Sequence, residues 1–185
     1  FKTFWGKRNF MSNLRLLNET TISSNVARIE VTDVFTSDFD IYQIVFKNFT
    51  TDGAGNMSFS YINASGSEER TSPDYSFANL NCQTDASFTE TKDGSHDSIQ
   101  SFGSIGNNTG ENTNGYFYIF NPFINTSRTI AIFQNAGIRG NVNANKRGIG
   151  MFKNNTSLTG FTFFLEESVD YISGSILTYG LRVDE

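Results

Sequence analysis

Few side chains in this chain are of the types that do covalent or metal chemistry. There is one histidine, His96, and one cysteine, Cys82. A hydrolytic triad would have to recruit His96 from the polar stretch Gly94-Ser95-His96-Asp97, which reads as an exposed connection. One His and one Cys cannot build a structural zinc site, which takes four such ligands. A lone cysteine closes no intrachain disulfide, and Cys82 reads as a buried, inert thiol. Asp38 and Asp40 can share one face of an extended segment, a spacing compatible with Ca²⁺, but the favoured reading is solvated acids at a strand entry. Glu166 and Glu167 are adjacent, so on a strand they point to opposite faces and cannot act together as a glycosidase pair. The glycine-rich run Gly103-Ser104-Ile105-Gly106-Asn107-Asn108-Thr109-Gly110 lacks the Lys-Ser/Thr ending of a phosphate loop and opens no helix. The expectation is a protein with no catalytic, metal or cofactor residue to assign, and not an enzyme.

What must position any functional group is therefore a surface, and composition says what kind. The 185 residues include 19 Phe, 7 Tyr and 1 Trp, against only 2 Pro and 18% charged residues. Aromatic and β-branched side chains suit a pleated sheet, and abundant Asn, Ser and Thr favour turns over helix interiors. The length favours a single domain able to bury a core without staples. No apolar run approaches the roughly 18 residues of a membrane span, so membrane insertion is not expected.

Strand-like alternation recurs along the chain. Ile29 and Val31 share one face of 26–34, and 39–49 places Phe39, Ile41 and Val45 opposite Tyr42, Ile44 and Phe46, apolar on both sides. Such a strand is central in a sheet or lies at a subunit contact. Asp52 to Asn56 is a turn cluster, and Met57, Phe59 and Tyr61 follow on one face, so these two segments read as a hairpin. Further strands are expected at 75–80, 86–91, 98–105, 116–120, 129–134, 148–152, 159–165 and 175–183. Roughly ten short strands separated by turn signals predict an all-β antiparallel sandwich, jelly-roll-like. The expected core comprises Ile29, Val31, Ile41, Val45, Phe59, Phe120, Ile132, Phe163 and Leu177.

Charge is uneven. Residues 1–17 carry Lys2, Lys7, Arg8 and Arg15 with no acid, +4, and the remaining 10 basic and 19 acidic residues sum to −9. An acidic body disfavours nucleic acid as a partner. Phe1, Phe4, Trp5, Phe10 and Met11 fit no strand period and, with Arg8, have the composition of an interface centre. The expected organisation is an extended N-terminal arm over 1–14, binding a partner through Phe1, Phe4, Trp5, Arg8, Phe10 and Met11, and one sandwich over 15–185.

Several stretches carry a family likeness: Leu16-Leu17-Asn18-Glu19-Thr20-Thr21-Ile22, Phe39-Asp40-Ile41-Tyr42-Gln43-Ile44-Val45-Phe46, Ile105-Gly106-Asn107, Gly115-Tyr116-Phe117-Tyr118-Ile119-Phe120-Asn121-Pro122, and Ile172-Ser173-Gly174 with Tyr179-Gly180. Over about residues 16–183 the chain resembles a small β-rich structural protein family of tailed phages, especially marine and cyanobacterial ones. The resemblance implies a virion protein, a capsid decoration, head-fibre or tail-fibre module. Its partners would be other virion proteins and further copies of itself, a trimer being favoured, with host attachment through a surface glycan as an added role. The alternative is a carbohydrate-binding, lectin-like jelly roll, for which Tyr75 and Tyr171 are the candidate sugar-stacking rings.

Overall fold

The computed structural model describes residues 13–85 and 88–181. It is all-β and antiparallel. The strands in chain order are β1 (Leu14–Ile22), β2 (Arg28–Val31), β3 (Ile41–Thr51), β4 (Gly55–Asn63), β5 (Glu68–Glu69), β6 (Tyr75–Gln83), β7 (Thr89–His96), β8 (Ile99–Ile105), β9 (Thr113–Phe120), β10 (Thr129–Arg139), β11 (Val142–Phe152), β12 (Leu158–Leu165) and β13 (Tyr171–Leu181). An eight-stranded sheet runs β1-β13-β3-β9-β10-β11-β6-β7, and a five-stranded sheet runs β2-β12-β4-β5 with β8 added on β4. The expected sandwich is therefore present, built from unequal sheets.

The core between the sheets is largely aromatic. Phe59 of β4 stacks on Phe117 of β9 at 4.9 Å, Phe46 of β3 meets Phe163 of β12 edge-on at 5.5 Å, and Phe102 of β8 meets Phe117 at 4.8 Å. Such offset and edge-to-face pairs add to the area each ring removes from water. Gly150 lets the layers approach: a Cβ there would fall 2.2 Å from Ile99 Cδ1.

Two sequence expectations are corrected here. The segments over 39–49 and 57–61 do not form a hairpin: β3 pairs with β13 and β9, while β4 pairs with β12, β5 and β8 in the opposite sheet. The Asp52 turn carries the chain across the core, and alternation reads the same for a cross-sheet corner as for a hairpin. The second correction concerns which face is buried. Ile29, Val31, Phe59 and Phe163 are buried as expected, but Ile41, Val45, Phe120 and Leu177 are half-buried and Ile132 is 40% exposed. In the large sheet the inward set is the other parity: Tyr42, Ile44 and Phe46 on β3, Phe117 and Ile119 on β9, Ala131 and Phe133 on β10.

β10 and β11 are also longer than the patterns over 129–134 and 148–152 suggested. They form one hairpin closed at the pair Arg139↔Val142 by Gly140 and Asn141, with φ of 62° and 64°. Positive φ at both central residues is the tight hairpin turn whose twist matches its strands.

Candidate functional site: the outer face of the large sheet

Directly paired residues of antiparallel strands point to the same side, so the register builds the outer face row by row. One row runs Leu14, Leu181, Ile41, Phe120, Ile130, Met151 across β1, β13, β3, β9, β10 and β11. The next runs Leu16, Tyr179, Gln43, Tyr118, Ile132, Ile149 and ends on Ala78 and Lys92. A third runs Leu177, Val45, Tyr116, Gln134, Arg147, Leu80. Past it, Asn114, Ala136, Asn145 and Cys82 make the face polar.

Apolar side chains on this face stand in solvent: Ile149 is 57% exposed, Ile130 48%, Leu16 48% and Ile132 40%. Ile130, Ile132 and Ile149 adjoin on β10 and β11, with Leu16 at the far end of the Ile132 and Ile149 row beyond Tyr179, Gln43 and Tyr118, and an apolar patch of this kind is uncommon on a monomer. Two grooves cross it. One, of about 510 Å³, lies between Tyr116, Gln134, Arg147 and the ion-paired Glu90 and Lys92; the other, of about 740 Å³, lies over Ala78, Ile130, Ile149 and Met151. Tyr116 and Tyr118 meet edge-on at 5.7 Å, and their hydroxyls are fixed by Gln134 Oε1 at 3.1 Å and Gln43 Nε2 at 2.9 Å.

The small sheet treats its outer face differently. Phe164 points outward there but is only 4% exposed, because the guanidinium groups of Arg28 and Arg70 lie over its ring at 4.6 and 4.3 Å. Those arginines are ion-paired in turn, Arg28 with Glu68 and Arg70 with Asp97. One side of the molecule is thus closed by its own charged groups, and the other is left apolar.

The residues singled out from sequence distribute as follows. Phe1, Phe4, Trp5, Arg8, Phe10 and Met11 lie outside the described residues. Tyr75 and Tyr171 are fully buried, Tyr75 donating to the Glu69 carbonyl at 2.8 Å and Tyr171 packing on Phe49 at 5.2 Å, so neither ring is open to stack on a sugar. His96 Nδ1 meets Asp97 Oδ1 at 2.8 Å. Burial raises the Asp97 carboxyl, but the Ser98 hydroxyl and Arg70 outweigh it and hold the group below the usual range. That cluster clips β7 to Arg70. The Gly/Asn run closes on an internal anion: Glu111 accepts from the Asn141 amide at 2.9 Å and the Asn108 amide at 3.0 Å, which holds its carboxyl below the usual range. Glu166 and Glu167 take separate partners, Glu166 the Ser58 hydroxyl and Ser101 amide, Glu167 the amide and side chain of Asn56. Among the described residues no three His, Cys, Asp or Glu side chains gather into a group able to hold a metal ion.

No protein-family model, no curated protein and no solved structure matches the chain. The outer-face residues were missed from sequence because Ile132 and Phe120 looked like core. The two-sided apolar pattern of β3 already pointed to a covered second face; the same pattern in β9 and β10 is the further signal, one more apolar set than a single core face requires.

Proposed function

We propose that this protein is a phage virion structural module, a capsid decoration, head-fibre or tail-fibre component, acting through assembly surfaces. The single observation that carries the assembly part is the apolar outer face of the large sheet. The apolar rows run over about six strands, which at a spacing of about 4.8 Å span about 24 Å, and with their borders they cover about 20 Å along the strands. That is about 480 Å², more than half of the roughly 800 Å² each partner contributes to a standard protein interface. The word phage rests on the family resemblance. A homo-oligomer, with the trimer favoured, and a location on the virion belong to the same proposal, as does docking through Phe1, Phe4, Trp5, Arg8, Phe10 and Met11.

Two experiments test it. Proteomics of purified particles must find the chain in stoichiometric amount; a chain absent from particles removes the virion role. Deleting residues 1–13 is expected to leave the sandwich folded and weaken particle docking, and unchanged docking would discard the arm.

A second reading is favoured by one specific arrangement. Tyr116 and Tyr118, held by Gln134 and Gln43 beside Arg147, combine exposed aromatic surface with fixed polar groups, as a glycan platform does. A glycan-array signal lost in Tyr116→Ala would support carbohydrate binding at this face in place of Tyr75 and Tyr171.

A further inference from the structure

Lys146 of β11 points into the sandwich and is only 6% exposed. Its Nζ lies 2.8 Å from Ser101 Oγ and 3.1 Å from the Ser101 carbonyl, and among the described residues it pairs with no carboxylate. A buried ammonium with only neutral partners loses its hydration without an opposite charge in contact. Desolvation, with a smaller push from Arg139 and against the attraction of Glu166 and Glu167, brings this amine down to about 8. At neutral pH a share of the chains therefore carries a free base against the serine.

Ser101 is held for the encounter. It sits in β8 where two extra residues loop out of the pairing with β4, between Met57↔Gly103 and Phe59↔Ile99, and its φ is 52°, the left-handed region that side chains other than glycine rarely adopt. Glu166 Oε1 accepts its amide at 2.8 Å and Ser58 Oγ lies 3.3 Å from the same nitrogen, while Lys146 holds its carbonyl. The residue keeps part of its surface in solvent. A strained, pinned serine with a buried amine on its hydroxyl is the arrangement of a serine–lysine nucleophile pair.

We propose that Ser101 is a nucleophile toward carboxylic esters and that Lys146 is its general base. Neutral Nζ takes the hydroxyl proton as Oγ bonds to the acyl carbon. The tetrahedral adduct collapses, the bond to the leaving oxygen breaks, and Lys146 returns the proton to the departing alcohol. Water, deprotonated by the same amine, then cleaves the acyl-serine ester to give the acid and restore the hydroxyl.

The test uses the full chain and a fluorophosphonate probe, which bonds to an activated serine oxygen with loss of fluoride. Intact mass and peptide mapping follow labelling from pH 6 to 10. The proposal predicts one label on Ser101, at a rate rising about tenfold per pH unit up to about 8 and level above it. Ser101→Ala takes no label, and Lys146→Met is slowed more than about 100-fold. Glu166→Gln removes an attraction for the ammonium, so its profile moves to lower pH. An unlabelled Ser101 at pH 9, a rate independent of pH, or equal rates with and without the lysine overturns the proposal. Should Lys146→Met fail to fold, the wild-type profile and the Glu166→Gln displacement decide.

Discussion

At the scale of single residues, titration behaviour follows from what the core encloses. Lys146 titrates near 8 in the fold and near 10.4 in an unfolded chain. Between those values the unfolded chain binds the extra proton, so stability rises with pH from about 8 to about 10.4. Tyr61, Tyr75 and Tyr171 are raised by burial and keep their phenolic protons in the fold. The unfolded chain loses those protons above about 10, so their contribution falls there. The expected result is a stability maximum between about pH 9 and 10, about 1.5 kcal/mol above the value at pH 7. Urea unfolding at pH 7, 8.5, 9.5 and 10.5 measures it. Lys146→Met should abolish the rise and keep the fall; parallel curves for the two proteins would show that the lysine is not the titrating group.

At the scale of elements, the central question is which parity of each strand faces inward. Phe117 is fully buried between the sheets and Ile132 is 40% exposed. Phe117→Ala is expected to cost about 3–5 kcal/mol in urea unfolding. Ile132→Ala, on the outer face, is expected to cost less than about 1 kcal/mol. The reverse order would restore the face first read from sequence. The turn of the β10–β11 hairpin gives a local check: Gly140→Val forces a β-branched residue to positive φ and should cost about 1–2 kcal/mol.

These elements also show what was legible beforehand. In β4 and β12 one parity is Met57, Phe59, Tyr61 or Phe161, Phe163, Leu165, and much of the other is Ser58, Ser60 or Gly160, Thr162. The inward face was therefore unambiguous, and Phe59 and Phe163 were placed correctly. In β3 the sets Ile41, Val45 and Tyr42, Ile44, Phe46 are both apolar. Alternation fixes the period and not the side, so the large sheet was read inverted. The Gly140-Asn141 pair is itself a hairpin signal, and it closes β10 on β11. Ser101 and Lys146 are 45 residues apart with no motif around either. Only the two extra residues of β8, lying against an inward lysine of the other sheet, bring them together.

At the scale of the whole molecule, the two outer faces differ in kind. The small sheet is closed by Arg28 and Arg70 over Phe164, while the large sheet presents Ile130, Ile132 and Ile149 to water. In the proposed assembly role, the open isoleucine face of the large sheet is the one a partner covers. Light scattering on the purified chain at micromolar concentration, beside the double variant Ile132→Asp, Ile149→Asp, tests this most directly. The account predicts a wild-type mass that is a multiple of 20.7 kDa and a folded variant reduced to the single-chain mass. A variant with the wild-type assembly mass, or a wild-type monomer that also fails to bind particles, would contradict it.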